Sequence, residues 1–299
     1  STETKAIVAK YLSSILTHDK LSQVPLLPYF THTAMQTTLK KKTPSETLIE
    51  LGASNTLGWL AYTLYDDVMD DDGDASLIAV ANIALREVVE IYSRCIPAPD
   101  LHIFKMIMNG IDEANGWERR SCRLKNKGHV TLEDLPNYRD LSILAEKSLG
   151  HALGPITLFL QCKVSQNEIK YLTKFFKHYI IARQLNDDAH DWLEDLEHGF
   201  INSVSAELLA SYFKKEKVSS CRVAISTSKN KLQKLFWNET IDSVCKRIFC
   251  ECKLATDALN RTASISDKTY YLSLLKPIRM AGEKAIVERD KTKEFLKAY

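Results

Sequence analysis

Apolar residues recur at three- and four-residue intervals along nearly the whole chain, the spacing that places them on one face of a helix. At 43–46 the sequence Thr-Pro-Ser-Glu forms a capping box with proline at the first helical position. It predicts a helix that runs into an acidic stretch near residue 66. A second box at 165–168 predicts a helix of about nine turns that stops near Gly199.

The rest of the chain carries the same periodicity. Further helices are predicted at 3–18, 75–96, 100–121, 132–161, 203–215, 230–262 and 268–297. The polar stretches 122–131 and 214–229 are predicted as loops, and no segment alternates as a strand would. Without an internal repeat or a linker-like stretch, residues 1–299 are predicted to form one all-α domain, a helical bundle.

Composition supports helices and limits the class of protein. Of 299 residues, 45% are hydrophobic and only 10 are glycine and 8 proline, few for a fold that turns often. The seven cysteines are odd in number and show no CxxC spacing, so reduced thiols in a cytoplasmic compartment are predicted. No apolar run approaches the roughly 20 residues of a membrane span. Because the sequence begins with Ser, both a trimmed chain and a piece of a longer polypeptide stay open.

The net charge of +2 conceals two dense acidic clusters. In the first, six aspartates lie within the nine residues 66–74, and Asp66 and Asp70 project from the same side of the predicted helix. Like charges at a helix C-terminus repel one another and the helix dipole, so a divalent cation such as Mg²⁺ would stabilise them. Trp59 and Tyr62 precede them on the same side and could form an aromatic wall. A solvated helix end above ordinary core aromatics is the alternative.

The second cluster lies on the long helix that ends near Gly199. Two stripes of oxygen or nitrogen ligands run along it at four-residue spacing: Asp187, Asp191 and Asp195, and beside them Asn186, His190 and Glu194. Either stripe could bind metal, and Arg183, one turn before Asp187, would place a guanidinium beside a bridging phosphate oxygen. The alternative is a solvated helix with paired charges.

With two acidic helices about 120 residues apart, the sequence resembles the class I isoprenoid synthase superfamily, which includes trans-prenyl diphosphate synthases and class I terpene synthases. Residues 66–70 (DDVMD) are similar to the first motif, DDxxD, and 184–191 (QLNDDAHD) to the second, QxxDDxxD. The resemblance implies a helical bundle of the isoprenoid synthase type with a central active-site cavity. There, two facing motifs hold three Mg²⁺ ions and the diphosphate of an allylic substrate.

The resemblance also implies roles for particular residues. Asp66, Asp67, Asp70, Asp187 and Asp191 would be catalytic, and the metal ligands would be drawn from these five together with Asn186, Asp188, Glu194 and Asp195. Candidates for binding the diphosphate are Arg139, Lys147 and Arg183. Lys147 resembles the lysine of the chain-elongating enzymes' Lys-Thr pair, and Arg139 resembles the terpene synthases' diphosphate-sensing arginine. Candidates for lining the pocket are Trp59, Tyr62, Phe176 and Tyr179, each of which could instead be simple core.

Departures from the family pattern bear on the reaction. Chain-elongating enzymes carry Arg-Arg-Gly after the first motif and an upstream Gly-Lys-Arg element, whereas here Gly-Asp-Ala-Ser follows at 73–76 and lysines 40–42 form the nearby basic run. The sequence therefore predicts a Mg²⁺-dependent terpene synthase that ionises an allylic prenyl diphosphate and cyclises or deprotonates the carbocation. The first alternative is a trans-prenyl diphosphate synthase that condenses isopentenyl diphosphate with the allylic substrate.

Two more distant functions stay open. His190 and Asp191, with His178 upstream, are compatible with an HD-type metal phosphohydrolase, and a helical chain without activity could be a scaffold. The expected partner is a small prenyl diphosphate, with no nucleic acid and no membrane span. A homodimer is a further possibility.

Overall fold

The structure, a computed structural model, describes residues 2–19, 23–35, 43–69, 73–124, 128–138, 140–216 and 223–298, and in these ranges the all-α prediction is confirmed. The α-helices are α1 (Thr2–His18), α2 (Gln23–Met35), α3 (Ser45–Met69), α4 (Ile78–Cys95), α5 (Leu101–Ser121), α6 (Ser142–Ser148), α7 (Leu153–Gln161), α8 (Gln166–Glu197), α9 (Ser203–Glu216), α10 (Ile225–Leu235), α11 (Ile241–Asn260) and α12 (Thr269–Ala298). A π-helical turn, Phe236–Thr240, joins α10 to α11.

The single helix predicted at 132–161 is wrong. The chain instead forms a 3₁₀ turn at Leu132–Asp134, then α6, another 3₁₀ turn at Leu149–Ala152, and α7. Thr131 donates its backbone N–H and its hydroxyl to the Asp134 carboxylate at 2.8 and 2.7 Å, which closes the first turn. Pro136 then lacks the N–H that a continuing helix needs, and Leu141 adopts a positive φ of 56°.

Two short strands and one helix were also missed. His129–Val130 (β1) pairs antiparallel with Val223–Ala224 (β2), in the two segments predicted as loops. Two residues per strand are too few to show alternation in the sequence. Helix α2 escaped prediction because Pro25 and Pro28 interrupt it, although Pro28 is buried within the helix.

The chain divides into two compact units, each assembled from three segments. The first contains Ser1–Asn109, Leu149–Lys174 and Ala258–Tyr270. One of its apolar clusters lies under α3, and it is formed by the buried residues Leu60, Ala61, Leu64, Leu77, Ala81 and Ala84. Gly52 lets α3 approach α2 closely, because an added Cβ would lie 2.3 Å from the carbonyl oxygen of Pro25.

The second unit contains Gly110–Ser148, Phe175–Asp257 and Tyr271–Tyr299. Aromatic side chains dominate its packing around α8. Phe175 stacks on Tyr179 at 6.1 Å between ring centroids and meets the Tyr271 ring edge-on at 5.2 Å, while Trp192 stacks on Phe236 at 5.2 Å. These contacts fix the rotation of α8 about its own axis and hence the direction in which its acidic residues point.

Two further findings concern the described ranges as a whole. None of their helices combines the length and the apolarity that crossing a bilayer requires. Their six cysteines, Cys95, Cys122, Cys162, Cys245, Cys250 and Cys252, are all free thiols.

Two glycines of α3 provide a test of this packing. Gly52→Ala forces a Cβ against the Pro25 carbonyl and should lower the free energy of unfolding by at least about 2 kcal/mol. Gly58→Ala is the matched control, because its Cβ would lie 3.9 Å from the nearest atom, on Val88, and alanine favours helix by up to about 1 kcal/mol. Urea unfolding of both variants measures the difference, and equal stabilities would contradict the close approach of α2 and α3.

Candidate active site

The first acidic motif ends α3. Asp66 and Asp67 are half-buried in its last turn, and the helix stops at Met69, while Asp70 lies outside the described residues. The unpaired carbonyl groups of a helix C-terminus add partial negative charge to that of the carboxylates. A cation bound here would offset both, which fits a hard divalent ion with oxygen ligands.

Gly73 lies against the last turn of α3. Gly73 donates its backbone N–H to the carbonyl oxygen of Asp67 at 2.8 Å, and an added Cβ at Gly73 would lie 2.7 Å from the backbone nitrogen of Val68. Asp74 then accepts a hydrogen bond from the Ser76 backbone N–H at 2.8 Å, which starts the 3₁₀ turn Ala75–Leu77 and lowers the pKa of Asp74. Glycine and a capping aspartate thus set the path of the chain beside Asp67.

A residue that sequence reasoning missed also lies near this motif. Burial raises the pKa of Tyr11, on α1, and the nearby Asp67 carboxylate raises it further. The apolar spacing of α1 predicts which of its faces is buried, but no pattern in the sequence indicates that this face meets the acidic motif 56 residues further along.

Trp59 and Tyr62 lie on α3, two turns and one turn before Asp66, and both are half-buried. The Trp59 ring meets the His151 ring edge-on at 5.6 Å, and the Tyr62 ring meets the Tyr65 ring edge-on at 6.2 Å. The predicted aromatic wall below the carboxylates, and its role toward a substrate, stay predictions.

The second motif, on α8, turns one aspartate inward. Asp188 is 5% exposed, and its carboxylate accepts hydrogen bonds from Gln184 Nε2 at 2.8 Å and from the Ser203 backbone N–H at 3.0 Å. The Ser203 hydroxyl donates to the same carboxylate oxygen. Burial raises the pKa of Asp188 to about 6, although these donors oppose the rise. Asp188 thereby anchors the first residue of α9.

Asp195, two turns further along α8, joins the same network. It accepts a hydrogen bond at 2.7 Å from Asn202 Nδ2, which also donates to the carbonyl oxygen of Asp188 at 3.1 Å. The side-chain oxygen of Asn202 in turn caps α9 by accepting from the Ser205 backbone N–H at 2.8 Å. Two of the predicted metal ligands, Asp188 and Asp195, therefore hold the start of α9.

The other acids of α8 face outward. Asp191 and Glu194 are exposed, and Asp187 is half-exposed, with its Oδ2 atom 3.8 Å from Arg183 Nε. Partial burial raises the pKa of Asp187, and Arg183 opposes that rise. Asp187 and Asp191 stand one turn apart, so their carboxylates project from one side of the helix and provide oxygen donors suited to a hard divalent ion.

In the second stripe, His190 is held by its own helix. The Nδ1 atom of His190 lies 2.6 Å from the backbone carbonyl oxygen of Asn186, which ties the ring to its own helix. Across the described ranges, no three His, Cys, Asp or Glu side chains converge as a ready metal site. This holds for both stripes of α8, and the choice between them stays a prediction.

Of the predicted diphosphate ligands, Lys147 already has an ionic partner. Its Nζ atom lies 2.7 Å from Glu118 Oε1, and the two side chains are only 28% and 19% exposed. Nearby, the Tyr138 hydroxyl donates to the carbonyl oxygen of Ile201 at 3.2 Å. Arg139 lies outside the described residues, and Arg183 is paired with Asp187 as described above.

Phe176 and Tyr179 are 1% and 6% exposed within the aromatic packing of the second unit. Their burial matches the alternative of ordinary core residues, and a part in lining a substrate pocket stays a prediction.

The sequence matches no protein-family profile and no curated protein. Solved structures do match. A geranylgeranyl pyrophosphate synthetase from the archaeon Geoglobus acetivorans superposes with a TM-score of 0.68 at 14% identity, covering 91% of this chain and 89% of that one. A decaprenyl diphosphate synthase from Rhodobacter capsulatus gives 0.66 at 12%, covering 94% and 95%. The chain has the isoprenoid synthase fold.

A third structure with this fold carries ligands. A polyprenyl synthase from Caulobacter crescentus CB15, complexed with calcium and isoprenyl diphosphate, superposes with a TM-score of 0.64 at 16% identity over 94% of each chain. Such low identities establish the isoprenoid synthase fold and no more, so the predicted resemblance is confirmed at the level of the fold.

The anchoring of α9 can be tested apart from any activity. Ser203→Ala removes the hydroxyl donor to the buried carboxylate of Asp188 and should lower the free energy of unfolding by about 1.5–3 kcal/mol. Ser165→Ala, at the start of α8, is the matched control, because its exposed capping bonds are long, at 3.4 Å, and should cost less than about 1 kcal/mol. Urea unfolding measures both, and an equal or smaller loss for Ser203→Ala would contradict the anchoring role.

Proposed function

We propose that this chain is a divalent-metal-dependent enzyme that acts on allylic prenyl diphosphates, and that it condenses them with isopentenyl diphosphate as a trans-prenyl diphosphate synthase does. The main observation in support is that the aspartates of α8 fall into two groups. Asp188 and Asp195 form hydrogen bonds at the start of α9, whereas Asp187 and Asp191 project outward with Arg183 one turn before Asp187. In an isoprenoid synthase fold, that leaves a carboxylate pair and a guanidinium for metal and phosphate.

The residues that would hold the metal come from both motifs. Asp66 and Asp67 would supply oxygen ligands at the end of α3, together with Asp70, and Asp187 and Asp191 would supply them on α8. Mg²⁺ is the expected ion, since it prefers carboxylate oxygens and shares its coordination with phosphates. When bound, it supplies positive charge to the diphosphate leaving group, which favours ionisation of the allylic C–O bond.

The cationic side chains would bind the remaining diphosphate oxygens. Arg183 is 44% exposed, so its guanidinium can turn from Asp187 toward a phosphate without the loss of a buried ion pair. Lys147 is more constrained, because a phosphate oxygen would have to share its ammonium with Glu118. Arg183 is therefore the stronger candidate of the two.

The aromatic candidates differ in how a substrate could reach them. Trp59 and Tyr62 are half-buried on the helix that carries Asp66, whereas Phe176 and Tyr179 are enclosed by other aromatic rings. An aromatic face near the ionising carbon stabilises positive charge through its quadrupole. We therefore assign the first contact with the prenyl chain to Trp59 and Tyr62.

The chain-elongating reaction is favoured over the terpene synthase that the sequence placed first. The three solved structures that share this fold, named above, are a geranylgeranyl, a decaprenyl and a polyprenyl synthase. The terpene synthase remains the second candidate for one specific reason, since Gly73-Asp74-Ala75-Ser76 stands where elongating enzymes carry Arg-Arg-Gly.

An HD-type phosphohydrolase is less well supported. The Nδ1 atom of His178 lies 2.6 Å from the buried carboxylate of Glu251, and that of His190 is engaged by its own helix. Such an enzyme would also leave the first acidic motif, residues 66–70, without a role.

The reaction is tested by measuring inorganic diphosphate released from geranyl, farnesyl and geranylgeranyl diphosphates with Mg²⁺, each with and without isopentenyl diphosphate. We expect release only when isopentenyl diphosphate is present, with a longer prenyl diphosphate as product, and none after chelation of the metal. Release from an allylic substrate alone, with a hydrocarbon or alcohol product, would establish the terpene synthase instead. No release under any condition would contradict both.

The metal ligands are tested by removing one charge from each motif. Asp66→Asn and Asp187→Asn should each lower kcat/KM by at least about 100-fold while the helical circular dichroism signal is retained, because each variant keeps its shape and loses a ligand charge. Asp257→Asn, an exposed aspartate of α11, is the control and should keep wild-type activity. Full activity in either motif variant would remove that motif from the mechanism.

A further inference from the structure

A shielded ion pair links the short helix α6 to α5. The Nζ atom of Lys147, on α6, lies 2.7 Å from the Oε1 atom of Glu118, on α5, and the two side chains are 28% and 19% exposed. By comparison, the side chains of the surface pair between Lys231 and Glu216 are 64% and 41% exposed. Because solvent and salt screen a shielded pair less, each charge acts more strongly on the other.

Neighbouring residues of α6 reach two different helices. The helix is seven residues long. The Oε1 atom of Glu146 lies 3.7 Å from the Nζ atom of Lys177, on α8, while the next residue, Lys147, pairs with Glu118. Since α6 is held by α8 and by α5, the position of the Lys147 ammonium is set mainly by its own side chain and by Glu118.

Glu118 lies one helical turn from a segment that is bonded to the end of α8. Cys122 donates its backbone N–H to the carbonyl oxygen of Glu118 at 2.9 Å, and its own carbonyl oxygen accepts from the Ile201 N–H at 2.8 Å. The next residue, Asn202, donates to the carbonyl oxygen of Asp188 at 3.1 Å. This series of hydrogen bonds places Glu118 near the second acidic motif.

A carboxylate beside an ammonium has two opposite effects on the binding of a diphosphate. It holds a flexible lysine side chain in one place, which favours binding. It also offsets the positive charge and repels the phosphate oxygens that approach the same ammonium. An ammonium has three N–H donors, so a carboxylate oxygen and a phosphate oxygen can both bind it. Because a diphosphate carries several negative charges and the pair is shielded, we expect the repulsion to be the larger effect.

We propose that Glu118 is a positioning residue that holds Lys147 and weakens its binding of the diphosphate, so that diphosphate is released after each turnover. This inference rests on the proposed function, because it takes Lys147 as a ligand of the diphosphate. In many enzymes the release of product limits kcat, and a site formed only by metal ions and cationic side chains retains an anionic product. The counter-charge of Glu118 allows the same lysine to bind the substrate and to release the product.

The decisive variant is Glu118→Gln, which keeps the shape and a hydrogen-bond acceptor for Lys147 and removes the charge. Isothermal titration calorimetry of inorganic diphosphate at saturating Mg²⁺ should give a dissociation constant about 10-fold lower than that of the wild-type protein. Structural damage would raise the dissociation constant, so the direction of the change separates the two effects. Unchanged or weaker binding in Glu118→Gln would overturn the proposal.

Glu146→Gln is the matched control, since it removes the same charge from the residue next to Lys147, where the ionic partner is Lys177. Its dissociation constant should stay within about 2-fold of the wild-type value, because this pair is longer and more exposed. A tightening equal to that of Glu118→Gln would overturn the proposal, since it would show a general effect of charge.

The part played by the lysine is tested by Lys147→Gln. We expect its dissociation constant for diphosphate to rise about 10-fold, because a charge-assisted hydrogen bond is lost. Wild-type affinity in this variant would overturn the proposal, since Glu118 could not then act through Lys147. Failure of the wild-type protein to bind diphosphate with Mg²⁺ would contradict the proposed function itself, and this inference with it.

Steady-state kinetics provide a second readout that separates binding from turnover. In Glu118→Gln we expect both the KM for the allylic diphosphate and kcat to fall several-fold, because the substrate binds more tightly and the product leaves more slowly. An unchanged or higher kcat would overturn the role in release, and so would a lower kcat with a higher KM.

Discussion

Repulsion among closely spaced carboxylates is the constraint on which the rest of this structure depends. Six aspartates lie within residues 66–74 and six acids lie within residues 187–197, and a carboxylate in such a cluster is stabilised by a hydrogen bond, a counter-charge or solvent. The chain meets part of this need internally. Asp74 accepts from Ser76, Asp188 from Ser203 and Gln184, and Asp195 from Asn202.

The acids with fewer hydrogen bonds or close ion pairs within the protein define the proposed site. Asp187 has a partial partner in Arg183 at 3.8 Å, and Asp191 is exposed beside it. The hydrogen-bonded acids and the outward acids lie on different sides of α8, because helical periodicity sends neighbours such as Asp187 and Asp188 in different directions. Aromatic packing around Phe175 and Trp192 holds that orientation, so the same residues that form the core also aim the carboxylates outward.

Much of the fold follows from the sequence where the signals are local. The capping box at 165–168 and Gly199 predict α8 closely, and the structure places it at Gln166–Glu197. The helix α2 and the break within 132–161 were missed because prolines and a positive φ at Leu141 depend on tertiary context. For the site, the spacing predicts which acids share a helix face. It does not predict which of them form hydrogen bonds within the protein. Whether Asp188 faces Ser203 or a metal is decided by the packing of α9, which the spacing of the acids does not show.

Joint stabilisation by metal and diphosphate would show whether these acids form a binding site. The unfolding temperature would be measured with Mg²⁺ alone, with inorganic diphosphate alone and with both. We expect a rise of several degrees only with both present, since carboxylates bind the metal and the metal binds the diphosphate, and a ligand at 100 times its Kd contributes about 2.7 kcal/mol. The same unfolding temperature in all three conditions would contradict the claim that these acids form a metal and diphosphate site.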